Sequence, residues 1–569
     1  MANTPDTYLE LEQEPPALAA EEPDLLARIA GRRWMAAGLI IVTCLVLFLP
    51  GFFTLPPIDR DESRFAQATR QMVQTGDYVD IRFQNGPRHK KPVGIYWLQS
   101  AFVQMAGAAA DTPIWVYRLP SLAGAIAAAL LTWLIGGLLF GPVAGLVSGL
   151  MMGAVILLGV EARLAKTDAA LLATILCAQY FLARAWIGHT IGRSGKLVFY
   201  AALGVGMLIK GPVILMVTGL TMVVLAILRR GISWLRPLAD LFGLALFAVI
   251  VLPWYIAIGI KTGGDFYAAS LGVDMWGKVT SGKENHGAPP GVFALVMIGT
   301  FWPASMLVPS AVSWMRGKFA DPAVRFCLAW IIPTWLIFEL VPTKLPHYVL
   351  AVYPALALLA AVTFLELANG RGQGLFSRIW SAILFVIPLL MAIAVGVLSY
   401  ELADAVDIVG ILLCLASAAV GFWTWRQLAA PFDRVRVLAA VILGAALFYA
   451  GVLGSTAPRL NELWISGRLA KAITQYSRCV KPVVITIGFY EPSLVFLAPS
   501  DIQSAPGGNI TTHMEGQKCG LLFLEERQRQ AVIDGLAGTA FKLEKIGAET
   551  GRNLNGGRQL DIGVYAIAR

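Results

Sequence analysis

The chain has 569 residues, 57% of them hydrophobic and only 14% charged, with a formal net charge of +9. Soluble domains carry about 25% charged residues, so this composition excludes an ordinary soluble protein and points to a membrane protein. In that class the positive balance sets topology or meets lipid phosphates, and no nucleic-acid partner is expected.

The first 25 residues are acidic and contain proline, and residues 1–33 read as a cytoplasmic tail. The first apolar run is long and lacks a cleavage signature, so it is expected to remain as an anchor. From Trp34 to about Thr456, 13 runs approach the roughly 20 apolar residues a span requires: 34–54, 116–139, 142–160, 168–187, 196–210, 211–228, 240–260, 290–312, 323–341, 347–367, 379–399, 405–425 and 436–456. The 196–210 run is short, and Gly211-Pro212 either breaks one hairpin or joins two helices. The positive-inside rule orients the set. A cytoplasmic N-terminus puts Arg28, Arg32, Arg33, Arg193, Arg229, Arg230, Arg316, Arg371, Arg426 and Arg434 all inside.

An odd number of spans then leaves residues 457–569 on the outer side. "KPVVITIGF", "CGLLFLEE" and "QLDIGVYAIA" alternate as strands, and "NELWISGRLAKAITQY" and "ERQRQAVIDGLA" as amphipathic helices. The segment reads as a small α/β domain. Cys479 and Cys519 there are either a disulfide suited to an oxidising compartment or two buried thiols. The large outer loops are 55–115 and 261–289.

The first loop carries the densest charge. Phe65, Ala68, Met72 and Val73 recur at helical spacing after Asp61 and Glu62, whose carboxylates suit a helix N-terminus, and Gly76 is placed to end the helix. This face is expected to lie on the membrane, with a second helix starting at Pro92. Arg60, Arg64, Arg70, Arg82, Arg88, Lys90 and Lys91 crowd a side where few cations belong. That crowding points to an anionic ligand, since Arg grips phosphate through its planar fork and Lys as a point charge.

"DESRFAQATRQMVQTGDYVDIRFQNGPRHKKPVGIYWLQ" resembles the first outer loop of bacterial lipid-dependent glycosyltransferases of the GT-C superfamily, in particular lipid A aminoarabinose transferases and the related protein mannosyltransferases. The matching positions are Asp61, Glu62, Arg64, Phe65, Ala66, Gly76, Asp77, Tyr78, Lys91, Pro92, Tyr96 and Trp97. The family often has Glu before the Lys-Pro pair, where this chain has Lys90. The likeness continues in "RLAKTDAALL" with Asp168, "LIKGPV" with Lys210, and "TKLPHYVLAVYP" with Lys344, His347 and Tyr348. It extends more loosely to "DFYAASLGVDMWGKVTSGKENHGAPP" with Lys278 and His286.

The resemblance implies a polytopic α-helical membrane protein of GT-C type. Residues 34–456 would form the transferase domain, and 457–569 a periplasmic α/β domain at the inner membrane. It implies a sugar donor on polyprenyl phosphate and an acceptor that is membrane-embedded or periplasmic, with lipid A or a related glycolipid favoured. Asp61 is expected to be the main catalytic carboxylate and Asp168 to position acceptor or sugar. Arg64, Lys91, Lys210, Lys344, His347, Tyr348, Glu62, Lys278 and His286 would hold donor and phosphate. Taken as residues alone, Asp61 also fits a helix cap and Lys210 a snorkelling lysine.

No HExxH, CxxC, phosphate-loop or dinucleotide glycine motif is present, so neither a cofactor nor a metal site is expected, with a divalent cation left open. A protein O-mannosyltransferase-like enzyme is the alternative, and a lipid-linked sugar flippase or transporter the rival class. A transporter should show repeated halves or mid-span charges, whereas these charges gather at outer helix ends.

Overall fold

In a computed structural model of the chain, residues 24–568 are described apart from 109–110, 271, 273–276, 278–287, 430, 477–481, 499–500, 506–509, 516 and 518. Lys278, His286 and Cys479 lie outside the described residues.

The helices follow the apolar runs. A short α1 (Leu25–Ala30) leads into α2 (Arg33–Phe48), and the first loop folds as α3 (Asp61–Thr75), a small hairpin β1–β2 (Arg82–Phe83, Gly86–Pro87) and α4 (Gly94–Met105). Then come α5 (Ile114–Phe140), α6 (Pro142–Ala154), α7 (Ile156–Glu161), α8 (Asp168–Trp186), α9 (Arg193–Lys210), α10 (Val213–Arg229) and α11 (Leu241–Lys261). Further helices reach Arg459. Among the described residues, eight are long and apolar enough to cross a membrane, or nine if the bent pair 292–315 is one span. The expected count of 13 is therefore not established by length and composition. Helices occupy the remaining expected spans, but α2, α6 and α10 are shorter. At 208–213 the chain forms two helices, turning at Gly211 with φ 63.

The C-terminal part is a five-stranded mixed sheet in the order β4-β3-β5-β7-β6, from β3 (Val483–Ile487), β4 (Ile502–Ser504), β5 (Cys519–Glu525), β6 (Lys542–Arg552) and β7 (Gln559–Ala568). β3 is parallel to both β4 and β5, and β7 is antiparallel to β5 and β6. Apolar clusters cover both sheet faces. Cys519 is disulfide-bonded.

α3 starts and stops where its sequence dictates. Asp61 and Glu62 occupy its first turn, and Gly76 closes it in the left-handed region at φ 71. Its environment differs from the expectation. Phe65, Ala68 and Met72 are buried in the main protein core with Ile95 and Tyr96 of α4, so protein rather than lipid covers this face. The reason lies in Glu62. Its carboxylate accepts two bonds from Arg118 of α5, at 2.8 and 3.1 Å, and one each from the N–H groups of Ile58 (2.9 Å) and Ala165 (3.0 Å). Arg118 also donates to the carbonyls of Phe52, Leu55 and Pro56. One buried ion pair thus gathers α3, α5, the 52–58 turn and the 163–165 turn. Glu62 has no oxygen left for substrate, which corrects its expected binding role.

Breaking such a pair leaves an uncompensated buried charge and costs about 3–5 kcal/mol. Glu62→Ala and Arg118→Ala are each expected to lower the thermal unfolding temperature of the detergent-solubilised protein by several degrees. A double variant that loses much less than the sum of the two would confirm that they act as one unit.

Candidate active site

The site is built where helix ends meet. α8 and α9 form an antiparallel pair, so the first residue of α8, Asp168, and the last of α9, Lys210, fall at the same level. Each charge also has the sign its helix terminus favours. Lys210 Nζ donates to Asp168 Oδ1 at 2.5 Å, and His347 Nε2, from the 3₁₀ turn Pro346–Val352, stands 3.9 Å from the same oxygen. The Lys210 ammonium lies 5.7 Å from the Tyr348 ring centroid.

The first loop supplies the opposite wall. α4 passes close to α9, because Gly94 has no side chain: a Cβ there would come 2.7 Å from the main chain of Leu208. Lys91, three residues before Gly94, is thereby brought toward Lys210. Asp77 pairs with Lys261 of α11 at 2.5 Å, and the Trp254 indole of α11 donates to the Val79 carbonyl at 3.1 Å. The loop is thus docked on both sides.

These elements enclose a cavity of about 480 Å³. Lys90, Lys91, Asp168, Lys210, His347 and Tyr348 are among its polar lining residues. Leu171, Ile175, Met207, Val213, Phe266 and Phe338 are among its apolar walls. Five residues singled out from the sequence therefore share one cavity, with Lys90 beside them.

Others fall elsewhere. Lys344 is buried and donates to the carbonyls of Glu339 (2.7 Å) and Val341 (2.9 Å), capping the end of the helix Pro322–Leu340. It does not reach the cavity, which corrects its expected phosphate role. Arg64 is half-buried in the first turn of α3, outside the cavity lining. Asp61 is exposed on that turn and makes no side-chain hydrogen bond to a described residue. The crowded cations also divide. Arg70 donates to the Phe496 carbonyl (2.6 Å) and covers its ring, Arg82 pairs with Asp80, and Arg88 donates to the Tyr96 hydroxyl. Those three hold the fold.

One participant went unassigned in the sequence. Lys166, in the turn before α8, lies 3.1 Å from Glu161 and 3.9 Å from Asp168. Burial opposes its charge, but Glu161, Asp168 and Asp61 together raise its pKa above the ordinary lysine value. It links Asp61 electrostatically to the Asp168 cluster. Glu161, Asp168 and His347 bring ligand atoms within 4.8 Å of one another, the spacing of a metal site. Lys166 pairs with Glu161 and Lys210 with Asp168 in this structure.

Three comparisons with known proteins agree. Residues 90–256 match the family model described as dolichyl-phosphate-mannose-protein mannosyltransferase. An undecaprenyl phosphate-alpha-4-amino-4-deoxy-L-arabinose arabinosyl transferase of Aeromonas hydrophila is 29% identical over 394 residues, covering 66% of this chain and 70% of that protein. The Aeromonas salmonicida protein of the same name is 27% identical, covering 61% and 65%. The crystal structure of ArnT from Cupriavidus metallidurans in the apo state superposes with a TM-score of 0.73 at 19% identity, over 94% of this chain and 98% of that one. The same protein bound to undecaprenyl phosphate gives a TM-score of 0.72 at 20% identity, over 92% and 97%. This chain is a membrane glycosyltransferase with the fold of ArnT.

The C-terminal domain touches α3 directly. The helix Pro492–Leu497 packs on α3, and the Ser493 N–H donates to Asp59 Oδ1 at 3.3 Å. Burial, reinforced by nearby Glu491, pushes the Asp59 carboxyl up to about 6. A raised carboxyl pKa means that docking favours the protonated form. Its contribution is complete below the ordinary value near 4 and is lost as pH rises through about 6. Hydrogen exchange of residues 492–497 is therefore expected to speed up from pH 5 to pH 8 beyond the intrinsic rate change. Asp59→Asn should abolish that excess.

Proposed function

We propose that the protein moves a sugar from a polyprenyl-phosphate donor to a glycolipid of the lipid A type, at the outer face of the bacterial inner membrane. The carrying observation is the cavity itself. Apolar side chains and the ammonium groups of Lys91 and Lys210 line the same cavity, which suits a prenyl tail ending in a phosphate. The curated relatives are named for an undecaprenyl-phosphate-linked donor, in keeping with such a cavity.

In this reading an acceptor oxygen attacks the sugar's anomeric carbon from the face opposite the phosphate. The bond from that carbon to the phosphate oxygen breaks, polyprenyl phosphate leaves, and the configuration inverts. Lys91 and Lys210 stabilise the charge that grows on the leaving phosphate. Asp168 holds Lys210 in place. If the acceptor is a hydroxyl, its proton passes to the exposed carboxylate of Asp61. If the acceptor is an ionised phosphate, no proton moves and Asp61 orients it. The curated relatives' name disfavours the protein-mannosylating alternative.

The membrane arrangement belongs to the same proposal. The N-terminal tail lies in the cytoplasm, and residues 34–456 form the transferase domain. The sheet domain of residues 457–569 lies in the periplasm, where its disulfide-bonded Cys519 suits the oxidising conditions.

Lys210→Ala is expected to reduce transfer of labelled lipid-linked sugar in vitro by roughly 10²–10³-fold, the usual loss for one electrostatic stabiliser of a developing oxyanion. Asp61→Asn should eliminate transfer to a hydroxyl acceptor while donor binding persists. Near-parental turnover in the Asp61 variant on such an acceptor would remove it from the chemistry. For topology, alkaline phosphatase fused after residue 457 should be active, and after residue 230 inactive.

A further inference from the structure

The hairpin β1–β2 does not end in solvent. Its turn residue Gln84 has φ 53 and is clamped by Gln71 of α3, which accepts from its N–H at 2.7 Å and donates to its carbonyl at 3.0 Å. The Gln84 side chain reaches the other way. It donates to the Ile502 carbonyl on β4 at 2.8 Å and accepts from the Tyr490 hydroxyl. The turn is thus fixed to α3 on one side and to the edge of the C-terminal sheet on the other.

A second cleft of about 560 Å³ lies at this seam, within the roughly 300–1,000 Å³ of small-ligand sites. Its chemistry is the reverse of the first cavity's. Asn85, Asp501, Gln503 and Ser504 offer amides, a carboxylate and a hydroxyl, and Phe83 and Tyr490 offer ring faces. His513 is paired with Gln503 at 2.6 Å. Among the described residues, no lysine or arginine lines the cleft. An entering phosphate would meet the Asp501 carboxylate, and Arg82 beside the turn is already engaged by Asp80 and by the Asn85 carbonyl. A sugar would meet side-chain acceptors and donors for its hydroxyls, and aromatic surface for its C–H faces.

We infer that this cleft binds an uncharged saccharide, and that it is the subsite for the glycan head of the acceptor glycolipid. The second half of this inference rests on the transfer reaction proposed above. The spacing suits it. Gly86 lines the cleft and Lys90 lines the catalytic cavity. Four residues of chain hold their Cα atoms within about 14 Å. One acceptor can therefore rest its head at the seam and present its reacting oxygen to the cavity.

Asn85 and Asp501 are exposed, and neither side chain bonds to a described residue, so truncating them leaves the fold intact. The test uses the full chain in detergent, with N,N′-diacetylchitobiose as the probe. Saturation-transfer NMR is expected to show contact with the parent and at least tenfold weaker binding in the Asn85→Ala/Asp501→Ala variant. In transfer assays that variant should raise KM for the glycolipid acceptor about tenfold, with kcat and the donor KM held, and chitobiose should compete with acceptor alone. Binding without competition would overturn the acceptor assignment. Contact from a peptide but not from the disaccharide would overturn the saccharide class. A parent that transfers sugar, beside a probe that makes no contact and a variant with unchanged KM, would sink this inference and leave the proposed reaction standing. A parent that transfers nothing, yet binds chitobiose through Asn85 and Asp501, would uphold the saccharide site and sink the reaction.

Discussion

The buried pair of Glu62 and Arg118 is the constraint on which the site depends. Two charges removed from water are tolerable only when their remaining donors and acceptors are satisfied. Here they are met by four backbone carbonyls and N–H groups from the 52–58 turn and one N–H from the 163–165 turn. The pair therefore fixes where the first loop leaves the bundle, and with it the position of Asp61 one residue earlier. It also anchors the turn that carries Lys166 and Asp168. The most deeply buried carboxylate of the loop is the one that sets where its neighbours stand.

The cations of the first loop show how one composition serves two purposes. Arg70 and Arg88 lie over aromatic rings and close contacts between elements, where a planar guanidinium can stack and bond at once. The lysines Lys90 and Lys91 line the cavity instead. An ammonium is a compact charge with no preferred plane, suited to a phosphate that must arrive and leave. This division accounts for much of the positive charge gathered in the first loop.

Much of this was legible in the sequence. α3 could be read from the spacing of Phe65, Ala68 and Met72 and from the residues at its ends. Asp168 and Lys210 could each be singled out from their motifs at the ends of apolar runs, though not as a pair. What escaped reading was the partner of each charge. Lys344 sits beside a proline in a short turn, and the same letters describe a helix cap and a phosphate ligand. Glu62 sits beside Asp61 in the same motif, yet a helical step of about 100° turns one into the core and the other to solvent. β6 was missed because its residues alternate charge with little apolar content, as suits an exposed sheet edge.

The close passage at Gly94 carries a consequence for how this site can evolve. Contact there is main chain against main chain, so the separation between the Lys91 and Lys210 segments is set by backbone rather than by side-chain choice. The charges around the cavity can change, as Lys90 already illustrates, without altering the frame that spaces them. Selection can retune which head group is held while the gauge of the site stays constant.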